Sequence, residues 1–140
     1  MDIVIDFVEA MQKKFGHAEA FRRVCGFMTA YLGLFTLPSV AADALEVATR
    51  FQRSQASAEQ LERARIRCWE SLDAKSASTD FSQPDICAIR AAICFLYAEP
   101  PSEDVAELLS WFLTLVAKMD ASEGVPDSTS FLQTYFSGLQ

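Results

Sequence analysis

Apolar residues recur along this chain at the spacing of an α-helix almost from end to end, and no alternating, β-branched run bounded by turns competes with them. Val4, Phe7, Val8 and Met11 fall at i, i+3, i+4 and i+7, which predicts a first helix from about Ile3 to Lys14, ended by Gly16. A second helix, from His17 to about Leu34, aligns Phe21, Val24, Cys25, Met28 and Leu32, while Phe27 and Tyr31 make its other side apolar too. A helix that is apolar on more than one face belongs in the middle of a bundle. Pro38 and Ser39 interrupt the pattern. A third helix, about Val40 to Ser54, carries Ala41, Leu45 and Ala48, with Val47 or Phe51 beside them.

Ser57-Ala58-Glu59-Gln60 has the form of a capping box, in which the serine oxygen takes the Gln60 amide and the glutamine side chain reaches back. It opens a fourth helix that runs to about Ala74 and buries Leu61, Ala64, Cys68 and Leu72, with Trp69 at their side. Residues Lys75 to Ser82 are mostly small and polar and read as a loop. Ser82-Gln83-Pro84-Asp85 then supplies a serine cap, a proline in the first turn and an acid facing the helix dipole. The fifth helix so begun is expected to reach Tyr97, where Pro100-Pro101 stops it and Ser102 caps a sixth. That helix carries Leu108, Leu109, Phe112, Leu115 and Val116 and fades near Met119. Gly124 to Pro126 turn the chain into a last helix, started by Asp127 or Ser128 and bearing Phe131, Leu132, Tyr135, Phe136 and Leu139. The expected fold is all-α: residues 1–140 as one bundle of about seven helices, packed as helical hairpins around the second and fifth.

Composition agrees with a packed bundle. With 51% hydrophobic residues and only five glycines and five prolines, the chain has enough apolar side chain to offset the entropy lost on folding. The run from Val24 to Ala42 has no charge and is long enough to span a bilayer, but Gly26, Gly33 and Pro38-Ser39 break it and Thr29 and Thr36 lie inside. It reads as a buried helix, a turn and the start of the next. Asp2, Asp6 and Glu9 stand where a secretory signal would be basic, so the expected location is the cytoplasm, with no membrane partner. Four widely spaced cysteines, none in a CxxC pair, fit small buried thiols in a reducing compartment better than a zinc site.

Charge is unevenly divided. Through Ser78 the chain has ten basic and ten acidic residues; from Thr79 onward it has nine acidic (Asp80, Asp85, Glu99, Glu103, Asp104, Glu107, Asp120, Glu123, Asp127) and two basic, Arg90 and Lys118. The whole formal charge of −7 therefore belongs to the second half. Such a field repels nucleic acid and attracts basic proteins. Glu99, Glu103, Asp104 and Glu107 gather about the start of the sixth helix, and Asp120 and Glu123 at its far end. Trp111 follows Glu107 by little more than a turn, and an aromatic beside acids suits a hot spot for a basic partner. Acids at helix starts also stabilise the helix itself, and Trp111, next to Phe112, also fits the core, so both roles stay open. Arg63, Arg65 and Arg67 alternate along the fourth helix with no interleaved aromatics, and Glu59 and Glu70 are placed to pair with two of them; no nucleic-acid partner is expected.

No catalytic constellation stands out. His17 is the only histidine, next to Gly16 at a helix start, and there is no glycine-rich phosphate loop and no HExxH. Glu103 and Glu107 are paired carboxylates without a bracketing base or an EF-hand spacing. No enzymatic activity, cofactor or metal is expected.

One stretch has a family cadence. Ala44-Leu45-Glu46-Val47-Ala48-Thr49-Arg50-Phe51, followed by residues 55–64 (QASAEQLERA), resembles a helical hairpin of small bacterial proteins, among them immunity proteins of polymorphic and contact-dependent toxin systems. Ile89-Arg90-Ala91-Ala92, with Cys87 and Ala88, is similar to the alanine-rich helix that follows that hairpin. The resemblance covers about the middle third of the chain, and Ser54 stands where the short turn usually has glycine. It implies a cytoplasmic antidote that binds a cognate toxin and blocks its active site or substrate access, and it supplies no catalytic residue. The acidic second half would suit a basic toxin domain, with Glu99, Glu103, Asp104, Glu107, Trp111, Asp120 and Glu123 as the partner-binding set. A secretion or assembly chaperone and a helical protein-interaction adaptor are the competing readings of a small acidic helical chain.

Overall fold

The computed structural model describes residues 3–75, 81–101, 103–119 and 124–137. Seven helices carry its regular structure: α1 (Ile3–Phe15), α2 (His17–Leu32), α3 (Ser39–Gln52), α4 (Ala58–Ala74), α5 (Pro84–Ile93), α6 (Val105–Ala117) and α7 (Ser128–Tyr135). No strand occurs among the described residues, and the fold is all-α. Successive helices pair, α1 with α2, α3 with α4 and α5 with α6, while α7 folds back onto α2. None of the helices is long and apolar enough to cross a membrane.

Two helices form the middle because apolar residues cover more than one side of each. In α5 all but three of the ten residues are buried, and in α2 nine of sixteen. α2 packs against α1, α3, α5, α6 and α7, and α5 against α2, α3, α4 and α6. Phe27 of α2 is fully buried, with its ring 5.7–6.4 Å from those of Tyr31, Phe112, Phe131, Tyr135 and Phe136. Three of those partners lie at or just after α7, so one side chain fastens the short last helix; losing such a ring costs about 3–5 kcal/mol.

The helix ends show which local signals decide. Ser57 Oγ accepts the Gln60 amide at 3.1 Å and Gln60 Oε1 accepts the Ser57 amide at 2.7 Å, the expected reciprocal box. Pro84 opens α5, preceded by Gln83 in the cap position, which the sequence had suggested for Ser82. α6 is capped by Asp104, whose Oδ1 accepts the Glu107 amide at 2.9 Å. The expected cap, Ser102, lies outside the described residues.

α5 is shorter than its apolar run. Instead of continuing to Tyr97 it winds through Cys94 and Phe95 with i→i−3 bonds, Cys94 N–H to Ala91 O at 3.1 Å and Leu96 N–H to Ile93 O at 3.2 Å. Arg65 of α4 donates to the Leu96 carbonyl at 2.7 Å and lays its guanidinium 4.4 Å from the Tyr97 ring centre, so a side chain 31 residues earlier sets that end. α3 ends in a Schellman turn: Gln55 N–H reaches Arg50 O at 2.7 Å and Ser54 N–H reaches Phe51 O at 3.0 Å. Ser54 takes the left-handed position, with φ of 59°, where such turns normally use glycine.

Candidate functional site

The acidic residues at the start of α6 meet α1. Glu103, Asp104, Val105 and Ala106 line an open depression of about 450 Å³, together with Ile5, Glu9 and Gln12 at i, i+4 and i+7 on α1. Val105 and Val8 anchor the two helices in the core, which leaves the carboxylates of Glu9 and Glu103 at the surface and the side chain of Ile5 41% exposed. Residues 94 positions apart thus give one corner three acids around an apolar contact. The ion pairs among the described residues join Glu19 to Arg22 and Arg23, Glu46 to Arg50 and Glu59 to Arg63; Glu9, Glu103 and Glu107 take part in none of them.

Glu107 is exposed, one turn into α6, and its backbone amide is spent on the Asp104 cap. Glu99 is exposed in the turn before Pro100 and does not line the depression. Asp120 and Glu123 lie outside the described residues.

Trp111 goes elsewhere. Its ring stands edge-on to Phe81 at 5.4 Å and 86°, with the Arg90 guanidinium 5.9 Å from its centre. Arg90 also lies 4.9 Å from the Trp69 ring and 5.2 Å from Phe81, and Lys118 Nζ is 5.6 Å from Phe81. Both basic residues of the acidic half therefore lie over ring faces of one aromatic cluster. Trp111 is half-buried among rings and cations, where the sequence suggested a ring of acids. The reason is rotational: Ala106 turns one flank of α6 to α1, and Trp111 turns another to the Phe81 and α5 side.

The sequence offered only part of this corner. Ile5 and Glu9 are visible as an outward stripe on a short helix, but nothing local places that stripe beside residue 103. Arg90 near Trp111 is equally a product of how α5 and α6 pair.

Thiols and histidine do not form a reactive group here. All four cysteines are free and buried. Burial holds the Cys25 thiol far above its ordinary range, helped by neighbouring Cys94; burial also pushes Cys94 up to about 12 and Cys68 up to about 11. Cys25, Cys68 and Cys94 therefore stay protonated at neutral pH and pack as small apolar groups. His17 is exposed with Nδ1 3.1 Å from Gln12 Nε2. No group of three or more potential metal ligands occurs among the described residues. An open acidic corner with an apolar centre can bind a complementary surface.

No protein-family model, no curated protein and no solved structure matches this chain.

Proposed function

We propose that this chain is a protein-binding module of the immunity kind, an antidote that neutralises a cognate bacterial toxin by taking a basic face of it on the corner where α1 meets the start of α6. The observation that supports this reading is the convergence of Glu9, Glu103 and Asp104 around a depression with Ile5 exposed beside it. Acids of this kind steer a basic partner and set its register, and a central apolar contact adds affinity once water is expelled. The helical hairpin of residues 44–64 and the acidic second half agree with it.

The test is capture of partners by the tagged protein from its source organism at low and high salt. A basic partner whose toxicity is suppressed by co-expression of this chain, and whose binding falls with salt, supports the reading. Glu9→Lys with Glu103→Lys then loses that protection. Unchanged affinity after this double reversal sinks the proposed face.

A second reading has its own observation. Ile66 and Trp69, one turn apart on α4, are 48% and 36% exposed, an apolar surface that an adaptor or chaperone would use. Loss of partner capture in Ile66→Ser with Trp69→Ser, at full retention by the Glu9 and Glu103 variant, selects it.

A further inference from the structure

Besides the α1–α6 corner, the structure holds a larger cavity. A cleft of about 640 Å³ lies among α2, the α3–α4 turn, the segment after α5 and the end of α7. That volume is within the range of small-molecule sites, which combine an apolar lining with a few polar groups. Here Phe51 and Phe95 belong to the apolar lining, and Arg22, Arg23, Gln52, Ser54, Tyr97 and Tyr135 supply the polar groups.

Most of those polar groups are held by a second set of contacts. Glu19 bridges both arginines, 2.9 Å from Arg22 Nε and 3.2 Å from Arg23 Nε, which leaves the Nη groups of each fork for a ligand. The Arg23 guanidinium also lies 3.8 Å from the centre of the Phe15 ring, which fixes its plane. Two arginines against one glutamate leave a positive balance at this rim, in a chain whose total charge is −7. Gln52 is anchored by Thr29, whose Oγ1 is 3.3 Å from its Oε1, and Tyr97 by Arg65. Tyr135 lies with its hydroxyl against Gly26, where an added Cβ would come within 2.7 Å of that oxygen. Ser54, the only non-glycine residue with positive φ among the described residues, is also on this rim. Strained backbone of this sort gathers at binding sites.

We propose that this cleft binds a small organic anion with a flat apolar body, the anionic group on Arg22 and Arg23 and the body against Tyr97 and Tyr135. Arginine forks recognise carboxylates and phosphates through paired N–H donors, and the tyrosine rings contact a flat body at low entropic cost. The site is independent of the acidic corner and of the toxin reading.

The experiment is amide chemical-shift mapping with naphthalene-2-carboxylate, 2-naphthyl phosphate and neutral 2-naphthamide as probes. Saturable shifts confined to amides near residues 22–26, 52–56, 95–98 and 135, with the amide at least about tenfold weaker than one of the anions, support the proposal. The tighter anion tells whether the natural ligand carries a carboxylate or a phosphate. Arg22→Gln with Arg23→Gln, two exposed positions, lowers affinity for that anion about tenfold or more while leaving 2-naphthamide unchanged. Ala56→Trp, which fills the rim, abolishes shifts for all three. Glu9→Lys with Glu103→Lys leaves them intact. No saturable shifts with either anion at millimolar concentration, shifts centred elsewhere, or equal affinity for the neutral amide overturns it.

Discussion

Tyr31 of α2 donates its hydroxyl to the carbonyl of Pro126 at 2.9 Å, joining positions 95 residues apart just before α7 begins. Burial and the nearby Asp127 carboxylate both raise the Tyr31 phenol above its ordinary range, so it remains a donor at any physiological pH. Tyr31→Phe keeps the ring packing and removes only this tie. It is expected to lower unfolding stability by about 1 kcal/mol. Hydrogen exchange should show the loss concentrated in α7, and uniform exchange with unchanged stability would show that the bond contributes nothing.

The α4 capping box makes a sharper local test. Ser57→Ala removes the acceptor for the Gln60 amide and should cost about 1 kcal/mol in denaturant unfolding. Gln60→Ala removes the return bond to the Ser57 amide. Because the two bonds hold one turn, the double variant should lose less than the sum, and strict additivity would count against a reciprocal box.

Gly26 lies inside α2, where alanine is worth up to about 1 kcal/mol more than glycine. The Tyr135 hydroxyl stands in the way: it lies 2.7 Å from a Cβ placed there, and the next ring atom 3.9 Å. Gly26→Ala should therefore stabilise the Tyr135→Phe protein by more than it stabilises the parent. Thermal melts of the four proteins read the difference, and equal gains would mean that Tyr135 yields without cost.

Ser54 should be better replaced by glycine as far as folding goes. A left-handed φ costs a non-glycine residue about 1–2 kcal/mol, and glycine's freedom in the unfolded chain returns part of that, leaving a net gain of up to about 1 kcal/mol. Ser54→Gly is expected to raise the melting temperature. Ser54→Ala, which keeps the Cβ, should not.

The buried thiols make stability fall in alkali. The folded values of Cys25, Cys68 and Cys94 lie above the ordinary 9.0, to about 11 for Cys68 and about 12 for Cys94, so between those limits the unfolded chain has lost protons that the folded chain keeps. Stability is complete below about pH 9 and declines as pH rises through that window. Cys68→Ala and Cys94→Ala should flatten the decline measured from pH 9 to 11. Ellman's reagent should react slowly with the native protein and promptly with four thiols once it is unfolded.

What could be read from the residues was whatever short-range chemistry decides. The Ser57 box, Pro84 at the first turn of α5 and Asp127 before α7 all act within four residues, and each helix start follows from them. The apolar surplus of α2 and α5 likewise announced the two central helices. The end of α5 was not legible, because residues 94–97 suit a helix and are stopped by Arg65 from another one. Ser102 was the expected cap of α6, but the helix begins later and Asp104 caps it, because its carboxylate accepts the Glu107 amide. The acids at the start of α6 were visible as a cluster, but nothing in the sequence placed Glu9 and Ile5 beside them, and Trp111 had no sequence signal for Arg90. The cleft beside Arg22 and Arg23 joins four separate segments, none of which carries a motif.

Three of the pairings, α1 with α2, α3 with α4 and α5 with α6, join helices that follow one another in the chain, whereas α7 must reach back to α2. During synthesis the three hairpins can therefore assemble while Phe27 and Tyr31 still wait for Phe131, Tyr135 and Phe136 to cover them. At about 5–20 residues per second, the emerging chain carries that uncovered aromatic face for a second or more. The face that locks the finished molecule is, until α7 has been made, the surface through which unfinished copies would stick to one another or to a chaperone.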